Sequence, residues 1–279
     1  MNEKKYFVNG AHYKKPWTYS YQIPFFLRVF VKEKPTHILS TGSGRTAFIA
    51  FLLAKVLRIK FIYIDTFSRV YGYSKFGSFL LRIGHQILCQ WSGNENERAR
   101  YIGPVFTKVD DLSKNPDFNY TFVAMGTRWE PFTRLLVAVD ELIMKGTIKE
   151  KVIVQAGHTK YYSDRMELFD FCTPEEIDKL VMNAKYVITQ ESAGISTKCL
   201  RYKTKFLVMP RDYKYGELPG KSDMKEDLHL KLEEMGYTKV IRDVSELENA
   251  LNKIQELRIG FDFDNSLAIE TLNQIMEKS

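Results

Sequence analysis

From His37 onward, short apolar runs alternate with stretches of helical period, and this alternation constrains the fold more than any other feature. His37 to Thr41 reads as a strand, Arg45 to Leu57 as a helix and Phe61 to Asp65 as a strand. Phe76 to Ile83 then reads as a helix and Gln86 to Trp91 as a strand. A β-α-β-α-β order of this kind specifies a parallel sheet, and runs such as FIYID are apolar enough to be buried on both faces. Thr107 to Asn119 is polar, holds Pro116 and reads as a linker. The pattern then restarts, with strands expected at Thr121–Met125, Val152–Gln155, Tyr186–Thr189, Lys205–Met209 and Lys239–Ile241. Helices are expected between them, one opened by the cap and N1 proline of Thr173-Pro174. A last helix is expected at Leu267–Lys278. The expected organisation is therefore two domains, 1–110 and 118–279.

Composition narrows the function classes. Forty-four per cent of the 279 residues are hydrophobic, enough for one large or two small α/β cores, and the formal net charge of +7 fits either an anionic partner or a solvated surface with a mild lysine excess. No helix-turn-helix, RNA-recognition or zinc-finger pattern is present, which excludes the common nucleic-acid readers. Cys89, Cys172 and Cys199 follow no metal-ligand spacing and read as reduced thiols. No metal is implied, and no Asp-x-Asp motif ends a strand. The opening residues are too polar for a signal core, and Ala47 to Ile64 is broken by Lys55, Arg58 and Lys60, so membrane contact is expected to be peripheral. Around Pro16 to Lys34, aromatic residues mix with Arg28, Lys32 and Lys34. That mixture fits either a membrane interface or a buried helix.

Ligands of doubly wound sheets bind where strand carboxyl ends lead into helices. Gly42-Ser43-Gly44-Arg45-Thr46-Ala47 lies at such a place and fits G-x-G-x-x-A, with Asp65 ending the next strand. By itself this is a dinucleotide-binding fingerprint. The stretch QESAGIST, Gln190 to Thr197, joins a strand to a helix and could bind a diphosphate through backbone N–H groups and the hydroxyls of Ser192, Ser196 and Thr197. Glu191 opposes that role if it faces the same place. His158, after Gln155-Ala156-Gly157, could serve as an acid or base, or stand merely solvated.

Several strings taken together resemble one family. KPTHILSTGSG, FIYIDTFSRV, ILCQW and YIGPVF resemble the membrane-associated subunit of the UDP-N-acetylglucosamine transferase of lipid-linked oligosaccharide synthesis. They equally resemble the first protein of bacterial exopolysaccharide glycosyltransferase pairs. FVAMGTRWEPFTRLL, VIVQAG, FDFCTPEEIDKLVMNAKYVIT, FLVMPRDYKYGE and LKLEEMG resemble the donor-binding partner subunit. The likeness covers most of the chain in order, so the chain resembles a fusion of the two subunits. It implies an α/β fold of the GT-B type, with two Rossmann-type parallel-sheet domains. The family's first domain begins with a strand and a glycine-glycine-histidine loop. The resemblance thus implies an incomplete N-terminal domain here, and leaves open a partner chain that supplies the rest.

By the same resemblance, a nucleotide sugar would be bound by Gly126, Thr127, Gln155, Gly157, Ala193, Gly194 and, in the loop after Arg211, Gly216 and Glu217; Ser192, Ser196 and Arg211 join this donor set from their place beside those loops. A lipid-phosphate acceptor would meet Thr41, Gly42, Gly44, Arg45, Ser68 and Arg69. Asp65 or His158 would be the base. The family's phosphate loop reads histidine-glycine-glycine-alanine-glycine-serine where this chain has Gln190 to Ile195, and its aspartate-histidine-glutamine is here Asp223-Met224-Lys225. Two readings stay open. One is a hexosyl or N-acetylhexosaminyl transferase, with a UDP-sugar donor, no cofactor, and a place at the cytoplasmic face of a membrane. The other is a non-catalytic nucleotide-sugar-binding partner or scaffold.

Overall fold

The structure, a computed structural model, describes residues 4–8, 20–41, 44–107, 109, 119–220 and 227–277. The chain forms two compact units, Met1–Val105 with Asp264–Ser279, and Phe106–Phe263. Each is a parallel α/β layer structure, as the alternation of apolar runs requires.

The first unit contains α1 (Gln22–Glu33), β1 (His37–Thr41), α2 (Gly44–Val56), β2 (Lys60–Ile64), α3 (Lys75–Arg82), β3 (Ile87–Cys89) and β4 (Ala99–Tyr101). Its sheet runs β1-β2-β3-β4, and every pairing is parallel. The two-residue period of the strands sorts their side chains. Phe61, Tyr63, Ile87 and Cys89 pack with Phe30, Ala47, Ala50, Ala54, Phe76 and Leu80 of α1, α2 and α3. Ile62, Ile64 and Leu88 point to the other face. Helix α1 stops at Lys34, which adopts φ 45° and donates its N–H to Phe30 O, and Pro35 bars continuation. The mixed segment around Pro16 to Lys34 splits by side. Phe26, Val29 and Phe30 enter the core, while Ile23, Leu27 and Val31 are exposed; residues 16–19 lie outside the described residues.

The second unit contains β5 (Tyr120–Ala124), α4 (Thr133–Met144), β6 (Lys151–Gln155), β7 (Glu167–Phe169), α5 (Pro174–Asn183), β8 (Tyr186–Thr189), α6 (Ala193–Arg201), β9 (Phe206–Val208), α7 (Asp227–Glu234), β10 (Thr238–Val240) and α8 (Glu246–Asn252). Its parallel sheet runs β10-β9-β8-β5-β6-β7. The core gathers Val123, Leu135, Val139, Val154, Ile188 and Leu207, all with no exposed surface. Helix α5 opens on a full capping box. The Thr173 hydroxyl accepts the Glu176 N–H at 3.3 Å and the Glu176 carboxylate accepts the Thr173 N–H at 2.7 Å.

The domain limits read from the sequence need one correction. The last helix, α9 (Ser266–Glu277), belongs to the first unit and not to the second. With α1, α2 and α3 all on one face of the first sheet, the Ile62, Ile64 and Leu88 side needs its own apolar cover. Ala268, Leu272 and Ile275 supply it at helical spacing. The break between units falls at Val105–Phe106, and residues 108 and 110–118 of the expected linker lie outside the described residues. Strands β4 and β7 are additions to the expected elements. Both are three-residue edge strands whose sequences, ARY and ELF, carry no apolar run.

Candidate functional site

In the second unit the strand order reverses at β5. From there β6 and β7 build to one side, and β8, β9 and β10 to the other. A crevice must open at the carboxyl ends of β5 and β8, because the chains leaving them diverge. Three strand-end loops meet there. Thr189 Oγ1 donates to Ala124 O at 2.9 Å, and Met125 N donates to Gln155 O at 3.0 Å. Gly126 (φ 73°) lies so close to Gln190 that a Cβ would stand 1.8 Å from its Nε2. A Cβ on Gly157 (φ 60°) would stand 2.3 Å from Gly126 O. Backbone conformation favours glycine at both positions, and at Gly157 space requires it as well, because the obstructing atom there is backbone.

Arg211 ties the loop after β5 to the loop after β8. It is 1% exposed and lies 4.9 Å over the Phe132 ring. Its guanidinium donates to Gln190 Oε1, to Glu130 O at 2.5 Å, to Met125 O at 3.2 Å and to Glu217 O at 3.5 Å. Its backbone N–H donates to the Glu191 carboxylate at 2.8 Å. Burial pushes the guanidinium pKa down, while the Glu191 and Glu217 carboxylates hold it up. Arg134 makes a forked pair with Glu217 at 3.0 and 2.9 Å and also donates to Pro210 O at 3.0 Å. Arg211 and Glu217, expected to contact a ligand, are therefore committed to the protein. They shape the floor of the crevice.

Helix α6 begins at its edge. Ser192 is the N-cap, with Oγ accepting Ile195 N–H at 3.4 Å, and the first turn holds no acidic residue. The N–H groups of Ala193 and Gly194 have no acceptor among the described residues, as the first turn of a helix leaves them. Gly194 is exposed, with only Ser192 Oγ, at 4.0 Å, near the place a Cβ would take. Together the free N–H groups and the helix dipole favour an anion. The expected hydroxyl of Ser196 does not join them. It is fully buried and bonds His229 Nε2 at 3.0 Å, and Thr197 is buried as well. Burial lowers the His229 pKa to about 4, so this imidazole is a neutral core group. The Glu191 carboxylate, the feature that opposed an anion here, is occupied by the Arg211 N–H.

On the other side of the crevice stands His158. Its ring stacks on Trp129, with centroids 4.0 Å apart and planes 19° from parallel, and meets Phe171 edge-on at 5.1 Å. Neither ring nitrogen has a hydrogen-bond partner among the described residues. The imidazole is held by its faces and leaves its proton-carrying atoms available. Trp129 (69% exposed) and Phe171 (48% exposed) have no motif of their own, and only the fold brings them to His158. Thr127 is exposed, Gln155 is buried and Gly216 (φ 71°) has open space around its Cβ position.

The first unit's expected residues also gather at strand carboxyl ends. Thr41 ends β1, exposed; Gly42 lies outside the described residues; Gly44 and the exposed Arg45 open α2. Asp65 is 3% exposed, and its carboxylate accepts the N–H groups of Thr66 and Ser74, each at 2.8 Å. It anchors the loop between β2 and α3, which argues against its expected use as a base. Gln90 Nε2 donates to Asp65 O at 2.7 Å, and Trp91 Nε1 to Phe67 O at 2.7 Å, with the two rings stacked. That loop carries Ser68, whose Oγ lies 3.0 Å from Thr66 Oγ1, and the half-buried Arg69. Cys89 is a buried thiol whose pKa burial raises to about 11. Among the described residues no group of three or more His, Cys, Asp or Glu could hold a metal ion.

The sequence matches no known protein-family profile. It matches no curated protein either. Its fold is nonetheless shared. The UDP-GlcNAc 2-epimerase of Methanocaldococcus jannaschii, in complex with UDP-GlcNAc and UDP, is 13% identical at a TM-score of 0.62, over 97% of this chain and 83% of that one. S. aureus MnaA, in a structure with UDP, is 17% identical at 0.61, over 99% and 83%. MurG of Acinetobacter baumannii is 13% identical at 0.56, over 98% and 83%. At these identities the likeness concerns architecture: the chain has the α/β fold with two parallel sheets of the GT-B enzymes.

Proposed function

We propose that this chain binds a UDP-sugar at the crevice between β5 and β8 and transfers the sugar to a lipid-phosphate-linked acceptor, in glycan or polysaccharide biosynthesis. The observation that carries the reading is the open start of α6 at a strand-order reversal, where Ala193 and Gly194 offer free N–H groups to a diphosphate. Two proteins of like fold were solved with UDP, one of them with UDP-GlcNAc also. UDP-N-acetylglucosamine is accordingly the donor we infer, with Gly126, Thr127, Gln155, Gly157 and Gly216 lining its place. Thr41, Gly44, Arg45, Ser68 and Arg69 are our candidates for the acceptor phosphate.

In the reaction, His158 takes the proton from the acceptor hydroxyl as its oxygen attacks the sugar's anomeric carbon. The bond from that carbon to UDP breaks, and the negative charge growing on the diphosphate meets the α6 N–H groups. No cofactor enters. A peripheral place on the cytoplasmic face of a membrane fits the exposed rows Ile23, Leu27, Val31 of α1 and Phe48, Leu52, Val56 of α2, with Arg28, Lys32, Lys55 and Arg58 among them. Among the described residues no helix is long and apolar enough to cross a membrane.

The test is transfer of labelled N-acetylglucosamine from its UDP form into extracted polyprenyl-phosphate-linked acceptor. His158→Gln should lower the transfer rate by roughly 10²–10⁴-fold, the usual worth of a general base. UDP affinity should stay within about threefold, because the α6 contacts are untouched. Transfer that survives His158→Gln undiminished removes the histidine from the mechanism. UDP-sugar binding without transfer to any acceptor selects the non-catalytic partner, a reading that the structural commitment of Asp65 favours.

A further inference from the structure

Far from the strand carboxyl ends, the first unit has a second concave feature. Strands β2 and β3 pair at a single position, Ile64 with Leu88. Toward their amino ends the ladder is not continued. There His85, just before β3, bonds Phe61 O through Nε2 at 2.9 Å in place of a backbone partner. A cavity of about 500 Å³ occupies this region. Its walls are mainly apolar, with Phe61, Ile62, Leu88 and, from α9, Ile275. A volume in the range of small-molecule sites, an apolar wall and few polar groups make a plausible binding shape rather than a packing flaw.

The polar groups of the cavity specify a ligand. Because Phe61 O can only accept, His85 must carry its proton on Nε2, and Nδ1 is then a lone-pair acceptor. Nδ1 has no hydrogen-bond partner among the described residues. Lys55 and Lys60 also line the cavity. Lys55 is exposed and has no carboxylate partner among the described residues. No acidic side chain is among the lining residues. Burial is the main reason the His85 pKa is lowered, and the Lys55 charge lowers it further, which places the two groups within electrostatic reach. Ile83, also on the cavity wall, is exposed.

We infer that this cavity binds an amphiphilic anion, with a single apolar chain between β2 and β3 and an anionic head at Lys55. A free fatty acid and an anionic membrane lipid share that chemistry. The site is separate from the proposed UDP-sugar crevice, and the inference does not depend on that proposal. A head group at Lys55 would cancel part of the field that disfavours the imidazolium, while an apolar chain in the cavity would add to the burial that already disfavours it, so occupancy must change the environment of the His85 ring. An apolar ligand bound elsewhere would not.

The experiment is an NMR titration of the full chain labelled at histidine, with sodium decanoate, decanol and vesicles containing phosphatidylglycerol as probes. Decanoate should bind in the submillimolar range and shift the His85 ring resonances, decanol should bind at least fivefold more weakly, and Lys55→Glu, a change on an exposed side chain, should weaken decanoate at least tenfold. A response to decanoate supports a soluble amphiphile as the source. A response of His85 to vesicles alone, lost in Lys55→Glu while the chain still binds the vesicles, supports a bilayer lipid. No change at His85 with either probe, or binding indifferent to Lys55→Glu, overturns the inference.

Discussion

Gly157→Ala should lower the melting temperature of the second unit by roughly 5–15 °C, taking about 2–4 °C per kcal/mol for a unit of this size. Two costs add. An alanine at φ 60° pays about 1–2 kcal/mol for a left-handed backbone. Its Cβ would also stand 2.3 Å from the carbonyl oxygen of Gly126, a backbone atom that no rotamer change can move. Making room costs about 1–3 kcal/mol more, as overpacking usually does. Gly146→Ala separates the two. Its φ is 74° but nothing lies within 4 Å of the Cβ position, so only the conformational cost applies. Differential scanning calorimetry of both variants checks the account, and equal losses would show that the close approach of the β5 and β6 loops is misjudged. Because that approach shapes the crevice floor, Gly157→Ala should also weaken UDP.

Arg211→Met carries the second large effect, a loss of about 3–5 kcal/mol in urea unfolding at pH 7, because several buried acceptors lose their donor at about 1–3 kcal/mol each. Methionine keeps much of the volume and the contact with Phe132, so the loss reports polar bonds rather than a cavity. The carbonyls of Glu130 and Met125 and the Gln190 side chain would be left without their donor. Arg211→Lys should recover little, since one ammonium cannot span acceptors on three loops. A loss below about 1 kcal/mol for Arg211→Met would mean the arginine is a replaceable surface group after all.

These two residues also mark where sequence reading stops. The strands β5 and β8, the start of α6 and the capping box at Thr173 follow from local patterns: an apolar run, a hydroxyl before a helix, a proline at its first position. Nothing local distinguishes Arg211 from an exposed, ligand-seeking arginine after Pro210. Its acceptors come from the ends of β5 and β8 and from the loop before α4, and they converge only in three dimensions. Asp65 shows the same limit, since a carboxylate at a strand end reads alike whether it faces a substrate or holds the Ser74 N–H. His158 stood in the sequence as a single histidine in a polar loop. Its significance comes from Trp129 and Phe171, which the fold brings against its ring. The move of α9 to the first unit was hidden as well, because an amphipathic helix does not say which sheet it will cover.

The central claim is that the second unit, at the start of α6, binds a uridine nucleotide. Isothermal titration with UDP, UDP-N-acetylglucosamine and NADH tests it most directly, on the parent chain and on Gly194→Asp and Gly44→Asp. Both substitutions have room: Gly194 is open to solvent, and a Cβ on Gly44 meets only Phe76 Cβ at 3.5 Å. A carboxylate at Gly194 would lie beside the bound diphosphate, where like charges a few ångströms apart repel by about 1–4 kcal/mol. The account predicts uridine nucleotide binding that falls at least about fivefold in Gly194→Asp, persists in Gly44→Asp, and has no NADH counterpart. Binding of NADH that disappears in Gly44→Asp, or UDP binding that ignores Gly194→Asp, would contradict it.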